Sequence, residues 1–149
     1  PDSNDQLTSD HGFDLKKSGE RLKPILAQLK DAGVRTSLFM DPDLEQIELA
    51  KQLGADRIEL YTGPYAEAYK QQDANFEQLF QRYYAAAEYA AKIGLGLNAG
   101  HDLNLKNLSR FRTVPQLLEV SIGHALTVDA IAMGLEKAVR AYKQLCVAH

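Results

Sequence analysis

Three short apolar segments of the chain end in residues that can transfer protons or bind anions. The segment GLGLNAG ends at Gly100 and is followed by His101. The segment RIELYTG carries Glu59, and LLEVSIG leads into the Gly123–His124 pair. A histidine can act as an acid or a base near neutral pH, and a carboxylate can share that work. If the three segments are neighbouring parallel strands, their carboxyl ends place these groups around one pocket.

Each candidate also has a purely structural interpretation. Alternation along RIELYTG puts Glu59 on the face opposite to Ile58 and Leu60. There it is a functional carboxylate, a surface glutamate at a sheet edge, or one half of an ion pair with Arg35. His101 is either an acid–base group or a solvated loop residue. Asp102 beside it either favours the charged form of the histidine or caps a helix that starts near residue 104.

The Gly123–His124 pair lies where the fourth strand is predicted to turn into a helix. Backbone N–H groups at a helix start favour a phosphate, and the loops after the last strands of a barrel are frequent phosphate sites. The alternative is a glycine required only by the turn and a histidine that caps it. Asp41, Glu59, His101 and His124 together are two carboxylates and two histidines that could hold a divalent metal. No close-spaced ligand motif supports such a site, so we expect no metal.

The elements that must position these residues alternate along the chain. Strict alternation with short connections predicts a parallel sheet flanked by helices, either doubly wound or a barrel. A complete (β/α)8 TIM barrel needs about 250 residues, so four units correspond to half of one. We expect residues 1–149 to form one domain. A polar segment (1–12) is followed by a helix (13–32) in which Pro24 is a kink or marks the start. Strands are predicted at 34–41, 57–63, 94–100 and 117–123, and helices at 42–54, 75–93, 103–112 and 125–146. The segment 63–74 is predicted to be a turn-rich insertion, with room for a short helix.

Composition excludes several classes of protein. The 149 residues carry a net charge of −3, which implies no general attraction to nucleic acid or to an anionic membrane. The apolar runs are too short to span a membrane, and since no charged segment followed by an apolar one occurs near residue 1, we expect no secretory signal. The single cysteine, Cys146, is expected to be structural in a reducing cytoplasm. The chain begins with Pro1 rather than methionine, which suggests a cleaved product or a piece of a longer protein.

Four motifs resemble those of a known family. They are GVRTSLFMDPD, GADRIELYTGPYA, LGLNAGHDLNLKNL and EVSIGHALTVDAIAMGL, and they occur in the order and at the separations found in the carboxyl-terminal part of the pyridoxine 5′-phosphate synthase family. The resemblance implies a (β/α)8 barrel, of which this chain is about the last four units, in large homo-oligomers built from dimers. It also implies the metal-free and cofactor-free condensation of 1-deoxy-D-xylulose 5-phosphate with 3-amino-2-oxopropyl phosphate, which releases phosphate and water.

The resemblance also implies roles for individual residues. His101 matches the family's proton donor, and Glu59 matches a carboxylate that stabilises the transition state. Thr8 matches a residue that contacts the aminoketone phosphate. Phosphate-binding positions match Asp102, Gly123 and His124. Some members have glycine where this chain has Asp102, so we expect a backbone contact there rather than a side-chain contact.

The family's amino-terminal motifs are absent from this sequence. The NxDHIAT-like first strand, the proton acceptors and the arginines for the second substrate have no counterpart among the 149 residues. The chain alone is therefore expected to leave two sheet edges open and to lack complete catalysis. Two alternatives stay open: a metal-dependent sugar-phosphate epimerase or isomerase, and a non-catalytic half-barrel that binds phosphate.

Overall fold

The structure, a computed structural model, describes residues 1–2 and 4–147 and has an α/β architecture. Helices and strands alternate as the sequence predicts; α3 is the short helix that the sequence allowed in the insertion, and α7 is an additional helix. The elements are α1 (Leu15–Asp31), β1 (Ser37–Met40), α2 (Leu44–Gln52), β2 (Arg57–Tyr61), α3 (Gly63–Gln71), α4 (Phe76–Lys92), β3 (Gly96–Gly100), α5 (Leu108–Phe111), β4 (Leu117–Ser121), α6 (His124–Met133) and α7 (Leu135–Val147).

The four strands form one parallel sheet in the order β1-β2-β3-β4. The register aligns Phe39 with Glu59, Glu59 with Asn98, and Asn98 with Glu119. Each new strand adds to the same edge, whereas a doubly wound sheet reverses its strand order at a switch point. The observed order is therefore consistent with a segment of a TIM-barrel-like fold.

The two faces of the sheet differ in polarity. One face carries apolar side chains that are buried in a single core together with residues of the helices. Because side chains alternate along a strand, the opposite face carries Glu59, Asn98 and Glu119 at the aligned positions. The core residues of the sheet are Leu38, Met40, Ile58, Leu60, Leu97 and Ala99. The candidate carboxylate thus lies on the polar face, as the alternation predicts.

Three helical regions differ from the sequence prediction. α1 continues through Pro24, because this residue is exposed and water can hydrate the carbonyl that loses its donor. The single helix predicted for 125–146 is wrong: Gly134, at φ 91°, separates α6 from α7. The helix predicted for 103–112 is only the short α5.

The segment predicted as a turn-rich insertion contains the helix α3. Gly63 and Pro64 lie in its first turn, where proline needs no hydrogen-bond donor. Tyr65 of this helix is fully buried, and its ring lies 4.9 Å from that of Phe111 and 5.4 Å from that of Phe76. Its hydroxyl donates to the carbonyl of Asn107 at 2.7 Å, so α3 fixes the loop that follows β3.

Candidate active site

A sharp turn after β3 delivers the candidate histidine. His101 has φ 94° and Asp102 has φ 56°, so two consecutive residues with side chains lie in the left-handed region. This conformation costs roughly 1–2 kcal/mol per residue relative to the right-handed one. Backbone strain of this kind persists only where the surroundings determine the conformation, and it concentrates at functional sites.

Two buried polar side chains hold this turn. Thr62, which follows β2 and is 0% exposed, donates its backbone N–H to the carbonyl of Gly100 at 2.9 Å, and its single hydroxyl hydrogen is shared between the carbonyls of Gly100 and His101. Asn107, 1% exposed, donates its side-chain amide to the carbonyl of Asp102 at 3.0 Å. Three successive carbonyls are thereby satisfied inside the protein, which stabilises the strained conformation. Sequence reasoning identified neither Thr62 nor Asn107.

The ring of His101 has a partner on each nitrogen. Nδ1 lies 2.9 Å from Oδ2 of Asp102, and Nε2 lies 3.4 Å from the hydroxyl of Thr8. The ring of Tyr61 meets that of His101 edge to face, with centroids 5.0 Å apart. The histidine side chain is 22% exposed. Asp102 therefore does not cap a helix near residue 104; its side chain turns back towards the histidine, and α5 starts only at Leu108.

An open cleft of about 1240 Å³ lies in front of His101. Thr8, His101, Asp102, Gly123 and His124 all line it. His124 begins α6 and Gly123 is its N-cap, so the start of that helix, whose first N–H groups have no partner within the helix, borders the cleft. The structure thus places five of the six predicted site residues around one cleft.

Two lysines also line this cleft and were missed by the sequence reasoning. Lys70 comes from α3 and Lys106 from the loop after β3. Lys70 lies 3.8 Å from Glu67, another lining residue, so part of its charge is balanced locally. With the histidines and the helix start, these ammonium groups suit a phosphorylated ligand. The sequence gave no signal for them, because neither lysine lies at the carboxyl end of a predicted strand, where the candidate site residues were sought.

Glu59, the sixth candidate, lies on the polar sheet face next to the cleft rather than in its wall. Its carboxylate lies over Gly100, where a Cβ would come within 3.0 Å of Oε1. Burial raises the pKa of Glu59 above its ordinary value of 4.5; a hydrogen bond from Ser121, which does line the cleft, lowers it, and the charge of Glu119 raises it further. The ion pair of Glu59 with Arg35, considered as an alternative, is not observed.

Arg35 instead joins a polar network further along the same sheet face. Glu119 accepts from Arg57 at 2.8 Å and lies 3.3 Å from Arg35. Asn98 accepts from Arg57 at 3.1 Å and donates to Glu119 at 3.4 Å. These contacts give each charged group an opposite partner, so Glu119 holds this polar network together.

The raised pKa of Glu59 predicts a pH-dependent effect of Glu59→Gln on stability. Because the folded state binds this proton more tightly, the stabilisation is complete below the unfolded pKa of about 4.5 and is lost as pH rises through the folded pKa. At pH 7 to 8, Glu59→Gln should therefore have a higher free energy of unfolding than the parent protein and should unfold at a higher temperature. The gain should be under about 1 kcal/mol, because solvent screens this partly exposed group. The difference should shrink as pH falls towards 4.5.

Thermal unfolding of both proteins across this pH range measures the effect. Glu20→Gln, which removes an exposed carboxylate from α1, serves as the control. A Glu59→Gln protein that is less stable than the parent at every pH would contradict the burial argument.

The four candidate metal ligands are not assembled. Asp41 accepts from the backbone N–H of Gly12 at 3.2 Å and lines a separate cleft of about 700 Å³ with His11. Among the described residues, no three His, Cys, Asp or Glu side chains lie close enough to share a metal ion.

In the described part of the chain, no helix is both long and apolar enough to cross a membrane. Cys146 is exposed.

The sequence of the chain is similar to those of known proteins. A family model described as pyridoxal phosphate biosynthesis protein PdxJ matches residues 1–148. The pyridoxine 5′-phosphate synthase of Xanthomonas campestris pv. campestris (strain B100) is 52% identical over 143 residues, which are 95% of this chain and 55% of the relative. The synthase of Bacteroides thetaiotaomicron is 49% identical (96% of this chain, 60% of the relative), and that of Albidiferax ferrireducens is 48% identical (99% and 58%). The chain thus spans somewhat over half the length of these relatives.

Proposed function

Since the chain belongs to the pyridoxal phosphate biosynthesis protein PdxJ family, we propose that it is the carboxyl-terminal half of a pyridoxine 5′-phosphate synthase. The proposed reaction condenses 1-deoxy-D-xylulose 5-phosphate with 3-amino-2-oxopropyl phosphate and closes a pyridine ring. The single observation that carries the proposal is the cleft that unites Thr8, His101 and the Gly123–His124 pair.

The proposed fold of the complete enzyme is a (β/α)8 barrel in which β1–β4 are the last four strands. Their sequential parallel order and the polar face that carries Glu59 support this arrangement. In such a barrel the polar face turns inward, and functional residues lie at the carboxyl ends of the strands. His101 follows the carboxyl end of β3, and Gly123 follows that of β4.

The geometry suits acid–base steps on phosphorylated substrates. Imine formation, dehydration and enolisation each move a proton, and His101 would supply one from Nε2, the ring nitrogen on the side of Thr8. Glu59 would stabilise positive charge that develops near the ring-closing atoms. The start of α6 with Gly123 and His124 would bind one phosphate, and Thr8 with the backbone at Asp102 would bind another. Two phosphate anchors hold the reactants together and reduce the entropic cost of their encounter.

The remaining properties of the complete enzyme are also proposals. We expect a cytoplasmic homo-oligomer built from dimers that uses no cofactor, no metal, no nucleic acid and no membrane. Phosphorylated small molecules are its partners, as the two lysines and the helix start in the cleft suggest.

An assay of the purified complete enzyme tests the function. It should form pyridoxine 5′-phosphate and release inorganic phosphate from the two substrates, and it should keep its rate after treatment with EDTA. His124→Ala should raise KM for one substrate about tenfold with a smaller change in kcat, because it removes binding that is common to ground state and transition state.

The matched control is His11→Ala, which removes a histidine from the other cleft and should leave KM unchanged. Loss of activity with EDTA that divalent metal restores would instead favour the metal-dependent sugar-phosphate isomerase. Absence of product from a folded complete enzyme would contradict the synthase.

A further inference from the structure

We propose that the carboxylate of Asp102 is a positioning group that fixes the tautomer and orientation of His101, so that Nε2 of the ring faces the cleft. This inference rests on the proposed function only for its catalytic consequence. Its structural part concerns the Asp102–His101 pair, which the comparisons do not assign. Family resemblance suggested a backbone contact to phosphate at this position, whereas the side chain has a different and specific partner.

The pair has the geometry of a directed hydrogen bond. Oδ2 of Asp102 lies 2.9 Å from Nδ1 of His101. An ionised carboxylate only accepts hydrogen bonds, so Nδ1 must carry the hydrogen. Nε2 is then the nitrogen whose proton can come and go, and it lies on the side of the ring where Thr8 contributes its hydroxyl at 3.4 Å.

The backbone conformation makes this contact possible between adjacent residues. Asp102 adopts φ 56°, and His101 adopts φ 94°. Asparagine and aspartate tolerate the left-handed region better than most residues, but glycine adopts it without steric cost. An aspartate at this position therefore costs conformational energy that a glycine would not, and the hydrogen bond to the histidine is the interaction that it gains.

Neighbouring residues restrict the conformations of His101 and Asp102. Asn107 binds the carbonyl of Asp102, and Thr62 binds the carbonyl of His101, so the backbone that carries both side chains is held in one conformation. The edge of Tyr61 limits the tilt of the imidazole ring. Asp102 is 57% exposed, so its effect acts through one oriented hydrogen bond and not through a buried charge.

The consequence for catalysis follows from proton balance. The protonated ring carries hydrogens on both nitrogens and donates the one on Nε2 to the substrate. The neutral ring that remains keeps its hydrogen on Nδ1, which is the tautomer that Asp102 binds. The same contact therefore serves the ring before and after donation, and no rotation is needed to restore it.

Asp102→Gly in the complete enzyme tests the proposal. Glycine suits φ 56°, so the variant should fold at least as well as the parent. In the parent protein, the ¹⁵N chemical shifts of the neutral His101 ring should show the hydrogen on Nδ1. In the variant they should show a larger population with the hydrogen on Nε2. kcat should fall about tenfold with little change in KM, as expected for the loss of one charge-assisted hydrogen bond. Asp102→Asn, whose amide oxygen can still accept from Nδ1, should keep the parent tautomer.

The outcomes separate this inference from the proposed function. A glycine variant with unchanged ¹⁵N shifts overturns the pairing, even if the synthase assay succeeds. A changed tautomer supports the pairing, even if the complete enzyme makes no pyridoxine 5′-phosphate. Asp31→Asn, which removes an exposed carboxylate at the end of α1, is the control and should alter neither the shifts nor kcat.

Discussion

Replacing His101 by alanine in the complete enzyme is expected to lower kcat by about 10²–10⁴-fold, the usual contribution of a positioned acid or base. KM should change little, because the phosphate contacts of Gly123 and His124 come from another element. The fold should survive, since the ring is partly exposed and the turn is held through backbone carbonyls by Thr62 and Asn107. Steady-state kinetics with both substrates measure the effect.

A second variant sharpens the interpretation. His101→Gly opens a space in a cleft of about 1240 Å³, and added imidazole should restore part of kcat by supplying the missing proton donor. The contrast with His124→Ala is diagnostic, because that change should act on KM instead. A His101→Ala enzyme with near-parent kcat would refute the assignment of His101 as proton donor.

The strand ends explain why the main candidates could be found from the sequence. Period-two alternation put Glu59 opposite to the buried Ile58, and the structure confirms this placement on the polar face. Parallel strands bring their carboxyl ends to one edge, so His101 and the Gly123–His124 pair were expected to be close. All three line the same cleft, whereas Glu59, which was expected in the same pocket, lies beside it.

Other features depend on three-dimensional contacts that no local pattern reveals. Thr62 looks like an ordinary residue after a strand, and its function as a donor to the His101 turn depends on a carbonyl 39 positions away. Asn107 is similar, because its carbonyl accepts from Tyr65 of α3, and the sequence indicated at most a short helix there without showing what it contacts. The left-handed conformation of His101 and Asp102 was also unexpected, since glycine is the usual signal for it.

Replacing Gly100 by alanine is expected to reduce activity by displacing Glu59 without removing it. A Cβ at this position would come within 3.0 Å of Oε1 of Glu59 and 3.1 Å from Cβ of Ser121. The carboxylate is the far end of a flexible side chain, so it can swing away at low cost, and stability should change by only about 1 kcal/mol. kcat should fall by about 10²-fold, comparable to the loss of one group that stabilises a transition state.

A double-mutant cycle with Glu59→Ala decides whether this mechanism is correct. If Gly100→Ala acts by moving the carboxylate, it should cost little further activity once Glu59 is alanine, and the two effects on kcat should be strongly non-additive. Additive losses would mean that the added methyl group disturbs the His101 turn directly. Gly19→Ala in α1, whose Cβ would meet only Leu53 at 3.5 Å, controls for the general effect of adding a methyl group and should leave kcat unchanged. Non-additivity with an unchanged control would show that Gly100 provides the space in which the Glu59 carboxylate lies.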